Sequence, residues 1–475
     1  MRTNLTSLFI DIADAIRSKK STSAQISPQD FATEISTISG SSGAPVKPTY
    51  TGHADADGLR AIGWTEEDIA YYQANGVNWN EEDDQYHLVS DDNKALYGVL
   101  TADNISTYKD RIVYLPKIDT SAKTSMSNMF QDCYSLVSIP QLDTSNVTGI
   151  SGSMSSMFQN CYSLTTIPLL DTSNVTKMYQ MFQNCYSLTT IPLLDTGNVT
   201  SMTSMFQNCY SLVSIPQLDT GNVTSMSSMF NTCYSLTTIP LLDTSNVINM
   251  DKMFLNCYSL VSIPQLDTGN VTDMNRMFES CYSLTTIPLL DTSEVINMSN
   301  MFYQCRSLTT IPLLDTGNVT KMSYMFYYCY SLTTIPLLNT SKVTDMSYMF
   351  YHCYSLVSIP PLDTSKVTSM GNMFYYCYSL TTIPLLDTSE VIGMTNMFYY
   401  CYSLVHCNLN SVKLAYQLNQ ASKLSKESLL HLINNEAATS AITIKLASYA
   451  YNRLATDPDV VAALANHPNI SIASA

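Results

Sequence analysis

The chain has 475 residues, of which only 13% are charged and 45% hydrophobic, so its composition excludes a disordered, highly charged polypeptide. The formal net charge of −16, with no cluster of Lys or Arg, excludes a protein that grips phosphate backbones, and no nucleic-acid partner is expected. No apolar run reaches the roughly 18 residues of a membrane-spanning helix, and Asp11 and Asp14 interrupt the apolar residues near the N-terminus, so neither membrane insertion nor a secretory leader is expected.

In chain order, residues 1–39 read as a helix pair. Leu5, Leu8, Phe9, Ile12 and Ile16 fall at helical spacing, and Ser27-Pro28 opens a second segment carrying Phe31, Ile35 and Ile38. Helices this short need a surface to pack on, so the pair is read as a docking module. GSSGAPVKP over 40–48 is a flexible linker. Residues 49–117 form a small, irregular α+β module, with Thr65 as an N-cap and an acidic run over 80–92 that reads as a solvated loop rather than a cation site.

From 118 to 407 one pattern governs. CYSLTTIPLLDTSNVTKMYQMFQN, residues 161–184, is followed by near-copies of itself, and from Cys161 to Cys401 every cysteine interval is 24 residues. Self-similarity at that period specifies a solenoid of about twelve coils, and strands stacked at about 4.8 Å would make it about 55 Å long. The tail, 408–475, differs: Ser425 opens a helix through Leu429, Leu430, Leu432 and Ile433, AITIKL reads as a strand, and Asp457-Pro458 starts another helix. An atypical α/β tail is what a solenoid needs over its last open edge.

Comparing the copies assigns each slot. In residues 161–184 the unchanging, inward positions are Cys161, Leu164, Ile167, Pro168, Leu170, Val175, Met178, Met181 and Phe182. Val175, Met178, Met181/Phe182 and Cys185 lie three or four apart, which predicts a short helical or 3₁₀ segment. Leu169 is replaced by Gln217 and Gln265 in other copies, so that slot is read as exposed and its neighbour Leu170 as buried. Pro168 is expected to bend or offset the extended stretch.

The cysteine column is read as buried apolar thiols rather than disulfides or metal ligands, because pairing would break the equivalence of the copies. The column Asp143, Asp171, Asp195 and onward is read as a local turn in which the carboxylate accepts backbone hydrogen bonds; Asn339 takes the same slot without the charge. Asn146, Asn174, Asn198, Asn222, Asn270 and Asn318 sit in N-V-T sequons but are read as turn residues.

The slots that vary are the ones able to recognise a partner. The pair before Cys is Gln-Asn in early copies and aromatic late: Tyr327-Tyr328, Tyr351-His352, Tyr375-Tyr376 and Tyr399-Tyr400. With Tyr330, Tyr354, Tyr378 and Tyr402 after the cysteine, these form a candidate recognition surface suited to protein or sugar contacts. The alternative is that these tyrosines only shield the convex face or stack between coils. No catalytic constellation is present, so no enzyme activity, catalytic residue, cofactor or metal is expected.

The repeat core, DTSNVTxMxxMFxxCYSL, resembles the BspA-type leucine-rich repeat of surface proteins from gut and oral bacteria and mycoplasmas. That resemblance implies a right-handed leucine-rich-repeat solenoid, an α/β fold, whose repeats mediate adhesion. The segment LFIDIADAIRSKKSTSAQISPQDFATEI resembles a helix-pair module of bacteriophage tail-fibre and virion structural proteins, and GWTEEDIAYYQANGVNWNEEDD and LSKESLLHLINNEAATSAITIKL are similar to segments from phages of gut bacteria. These likenesses imply a virion fibre or decoration, assembled in the host cytoplasm. It would dock on other virion proteins through the N-terminal module, meet a host surface protein or glycan through the solenoid, and form a homo-oligomer. The alternative is a bacterial cell-surface adhesin or interaction scaffold.

Overall fold

A computed structural model describes residues 87–89, 95–99, 102–103, 105–109, 118–147, 153–411, 413, 417–435, 437 and 441–475. The helix pair of 1–39, the linker, and the Thr65 cap and most of the acidic run of 49–117 lie outside them. Two short strands, β1 (His87–Val89) and β2 (Ala95–Val99), pair antiparallel ahead of a 3₁₀ turn at Ile105–Tyr108.

The slots read as inward are inward except the proline: Pro168 is only half-buried. Cys161, Leu164, Val175, Met178, Met181 and Phe182 are fully buried, and Ile167 and Leu170 nearly so, whereas Leu169 is 62% exposed. Twelve phenylalanines from Phe130 to Phe398 form one buried column. Their rings stack face to face at centroid separations between 5.4 and 5.9 Å. Each such side chain contributes about 1.5–3 kcal/mol by leaving water, so this column alone goes far toward ordering a coil with little regular secondary structure. The first interval is 28 residues, Cys133 to Cys161, and the four extra residues fall between Val147 and Met154. Phe130 and Phe158 still stack at 5.4 Å, so the insertion does not interrupt the core.

The expected helical or 3₁₀ segment is a run of separate three-residue-back turns rather than a continuous helix of either kind. Met181, Gln183 and Cys185 donate their amides three residues back, to Met178, Gln180 and Phe182, while the intervening amides of Gln180, Phe182 and Asn184 donate to Thr203, Met205 and Gln207 of the next coil. Gln180 (φ 57°) and Asn184 (φ 63°) hold left-handed backbone, which aims alternate N–H groups along the solenoid axis. A helix would spend every N–H within its own chain and leave none to tie coil to coil; the apolar spacing is the same in both, which is why it suggested a helix.

The opposite wall donates the other way. Ser187 donates to Tyr162, and Thr200 to Thr176, in the preceding coil. The LTTIPLL stretch is extended, yet among the described residues it pairs as full strands only at the end, where β3 (Thr382–Asp387) meets β4 (His406–Asn410) in parallel. Their register runs Ile383 with Cys407 and then Leu386 with Leu409, a one-residue slip across Pro384, as expected of a proline that offsets the strand. Cys407, outside the cysteine series, therefore fills the isoleucine slot of the last coil.

The tail continues with three parallel strands, β5 (Gln417–Leu418), β6 (Ile442–Leu446) and β7 (Ile470–Ser474), in that order. Helix α1 (Lys426–Asn434) starts at Ser425, whose hydroxyl accepts from the Ser428 amide, and buries Leu429, Leu432 and Ile433. Helix α2 (Ser448–Leu454) is an element the sequence reading did not contain; α3 (Pro458–Asn466) begins at Asp457 with proline in its first turn, as read. The tail is tied to the last coil by hydrogen bonds from the Ser425 amide to Val405 O, from the Cys407 amide to Ser428 Oγ, and from the Tyr400 amide to Gln420 Oε1. Among the described residues no helix is long and apolar enough to cross a membrane.

Candidate recognition surface

The walls are held by side chains as well as by amides. Cys185 Sγ donates to Phe158 O at 3.1 Å, and the same bond recurs from Cys161 to Cys401. None of the cysteines is in a disulfide and all are buried, and burial drives the thiol pKa values of those from Cys161 to Cys407 well above the ordinary range, so these are un-ionised packing groups. Thr196 Oγ1 donates to Asp219 O at 2.7 Å, a tie repeated at Thr220 and Thr244. This buried threonine slot was missed because threonine reads as a surface residue.

The aspartates make the expected turn. Asp171 Oδ1 accepts from the Ser173 amide at 3.1 Å and hydroxyl at 2.7 Å, and these bonds hold its carboxyl below the usual carboxylate range. Asn339 accepts the same pair from Ser341. The sequon asparagines do more than turn the chain: Asn198, Asn222 and Asn318 donate from Nδ2 to carbonyls of the preceding coil at 2.7–2.8 Å. Among the described residues no group of three or more His, Cys, Asp or Glu could hold a metal ion.

The eleven tyrosines singled out from the sequence come together in three neighbouring columns. Two residues before Cys, Tyr327, Tyr351, Tyr375 and Tyr399 stack at 4.7–5.1 Å. Immediately before Cys, Tyr328, His352, Tyr376 and Tyr400 follow one another at 4.3–4.5 Å, and Tyr328 meets Tyr327 edge-on at 4.4 Å. After Cys, Tyr330, Tyr354, Tyr378 and Tyr402 stack at 4.8–5.6 Å. The last column runs back to Tyr134; Arg306 interrupts it with its guanidinium 4.1 Å from the Tyr282 ring centre, a cation–π contact that keeps the stack continuous. The tyrosines do stack between coils. Nine of them are half-buried, and only Tyr378 and Tyr402 are more than a third exposed.

Three further tyrosines and a histidine join the array. Tyr303 extends the first column at 4.6 Å from Tyr327, and Tyr324 and Tyr348 stack at 4.7 Å beside it. Tyr324 and Tyr348 lie five residues before Cys, a slot whose drift from Asn and Ser to Tyr could have been read by the same comparison of copies. His352 donates to or accepts from Tyr354 Oη at 2.6 Å, and burial lowers its pKa to about 4, so it is neutral near pH 7. Burial also raises Tyr351 and Tyr354 to about 12. Neighbouring rings cover the ring faces within each column, so the array presents outward a row of phenol edges and hydroxyls rather than open aromatic platforms. Its chemistry is hydrogen bonding and edge contact.

The family model described as "Mycoplasma protein of unknown function, DUF285" matches residues 104–214, 184–286, 236–334, 260–361 and 333–427. No curated protein matches the chain. Among solved structures, a leucine-rich cell surface protein from Faecalibacterium prausnitzii A2-165 is 21% identical, covering 73% of this chain and 97% of its own, at a TM-score of 0.41. A leucine-rich repeat protein from Eubacterium ventriosum is 15% identical, over 69% of this chain and 91% of its own, at 0.35. The leucine-rich repeat protein of T. pallidum is 20% identical, over 44% and 91%, at 0.27.

Proposed function

This chain belongs to the family described as Mycoplasma protein of unknown function, DUF285, and we propose that it works as a non-enzymatic recognition solenoid, an adhesin or protein-interaction scaffold acting at a cell surface. One observation carries the reading. Tyr324, Tyr328, Tyr348, Tyr376 and Tyr400 hold left-handed backbone, with φ of 59–62°. Early coils place Asn at the slot before Cys, as at Asn160, Asn184 and Asn208, and asparagine adopts that conformation most readily. A bulky residue there costs about 1–3 kcal/mol, and each ring contact contributes about 0.5–1.5 kcal/mol, so the contacts of Tyr376 to His352, Tyr375, Tyr378 and Tyr400 roughly offset that cost. Asparagine meets the structural task in the early coils without that cost, which supports a use of the phenols beyond holding the backbone. Phenol edges suit a polar protein or glycan surface.

The test is adsorption of the labelled full chain to intact bacterial and epithelial cells, beside a variant with Tyr327, Tyr351, Tyr375 and Tyr399 changed to Ser and one with Tyr328, Tyr376 and Tyr400 changed to Asn. Loss of adsorption in a variant that still unfolds cooperatively supports the reading; unaltered adsorption by both sinks it.

A second reading is favoured by the N-terminal helix-pair resemblance and the phage-like flanks: a virion fibre or decoration that docks through residues 1–39 on other virion proteins, assembles as a homo-oligomer and displays the same surface to the host. Mass spectrometry of purified particles from the source decides it, because a virion protein must be found in them. Capsid, portal and tail genes beside its gene would point the same way.

A further inference from the structure

A second surface lies on earlier coils, apart from the aromatic array, and none of its lining residues is a tyrosine. It is an open groove of about 1730 Å³ running from the coil of Gln141 to that of Asp315. One row along it is largely apolar and in water: Leu169, Leu193, Leu241, Leu289 and Leu313 are each 58–63% exposed, with Gln141, Gln217 and Gln265 in the same slot of the other three coils. A soluble surface rarely keeps such a row bare unless something covers it.

The other row is acidic. Asp171, Asp195, Asp219, Asp243, Asp267, Asp291 and Asp315 line the same groove, and no Lys or Arg does. Gly197 shows how close the carboxylates come: a Cβ there would stand 3.6 Å from Asp195 Oδ1 and 3.3 Å from Asp219 Oδ2. None of these seven aspartates forms an ion pair among the described residues. The serine hydroxyls and amides that hold Asp171, Asp243 and Asp291 keep them ionised. The fold thus maintains a line of like charges beside a row rich in exposed leucines, and it supplies neither a counter-charge for the acids nor a cover for the leucines.

We infer that this groove docks an extended polypeptide segment alternating apolar and basic side chains. Alternation follows from the geometry: successive side chains of an extended chain point to opposite sides, so one set meets the leucine row while the other meets the aspartate row. A simple polyamine or metal ion would satisfy the acids and leave the leucines bare. The groove crosses eight coils, about 34 Å at roughly 4.8 Å per step, room for about ten extended residues. This goes beyond the proposed function, since it names a different face and a different partner chemistry.

The probe is a labelled peptide of about ten residues alternating Leu and Lys, titrated into the full chain by fluorescence anisotropy, beside a Ser-Lys peptide of equal charge. Changing Asp195, Asp219 and Asp243 together to Asn keeps the turn, as Asn339 does, and is expected to weaken binding about tenfold. Changing Leu193 and Leu241 to Ser is expected to weaken the Leu-Lys peptide by a similar factor, about tenfold, without affecting the Ser-Lys peptide. Unchanged affinity in the Asn variant overturns the proposal. So does equal binding of the two peptides, which would mean ion exchange only. The quadruple Tyr→Ser variant described above should bind the peptide normally; weakened binding there places the peptide elsewhere and likewise overturns it.

Discussion

Gln183 and Gln207 in the early coils and Tyr351 and Tyr375 in the late ones occupy one slot, two residues before Cys, on one backbone path. Early, the slot is an amide ladder: Gln183 Nε2 donates to Gln207 Oε1 at 2.6 Å, and beside it Asn208 Nδ2 donates to Asn184 Oδ1 at 2.6 Å. Late, it is a ring ladder, with Tyr351 and Tyr375 stacked at 4.9 Å. Between the two ladders the slot holds Asn231, Leu255 and Glu279, so the change from one chemistry to the other spans three coils that belong to neither. The core beneath is indifferent to the change, and Phe182 and Phe350 stack on their neighbours at similar separations in both regions.

The comparison breaks most severely where both regions share structure. Phe302→Ala, at the junction, should cost about 3–5 kcal/mol in urea unfolding, the usual loss for a buried phenylalanine; a loss under about 1 kcal/mol would mean the column is not what holds the regions together. Next in size are single crossings between ladders. Gln183→Tyr and Tyr351→Gln each strand two neighbours and should cost about 1–3 kcal/mol, whereas converting Gln159, Gln183 and Gln207 together to Tyr should cost less than the single changes summed. The same denaturant series measures all three.

Smaller still is Tyr376→Asn. It loses ring contacts at 4.3 Å to both His352 and Tyr400 and to the flanking Tyr375 and Tyr378, but relieves left-handed backbone at φ 62°, so the net loss should stay under about 2 kcal/mol. The smallest effect belongs to His352 and depends on pH. Burial places its pKa near 4, against 6.5 when free, so the unfolded chain takes up the proton first. The stability this residue contributes is complete above about pH 6.5 and is lost as pH falls toward 4. His352→Gln should flatten that part of a melting-temperature profile and leave the profile above it unchanged.

Much of this was legible in residue identity. The inward slots announced themselves by never changing, Gln217 marked its slot as exposed, and Asn339 marked the aspartate slot as a hydrogen-bonded turn. What stayed hidden has a common cause: the signals were carried by geometry that several residue types share. Left-handed backbone before Cys is occupied by Asp, Asn, Thr, Ser, Gln, Tyr and His across the coils, so no residue type flagged it. Apolar spacing at Val175, Met178 and Met181 is the same in a helix and in a run of turns, and only the inter-coil bonds distinguish them. Thr196 looked like surface and is a buried tie. The eleven tyrosines were found by their drift, yet Tyr324 and Tyr348, which pack beside them, drift at a slot that had not been compared.

The two walls of each coil, one donating forward and the other backward, have an electrical consequence. In a helix every peptide dipole points the same way, and the ends acquire partial charges that attract ions and ligands. Here Phe206 donates forward to Met229 while Ser211 donates back to Tyr186, so the peptide dipoles of opposite walls oppose one another along the axis. Appending another 24-residue copy adds length without adding polarity at the ends. Such a rod can be extended by duplication alone, and its electrical character is set by the side chains it displays.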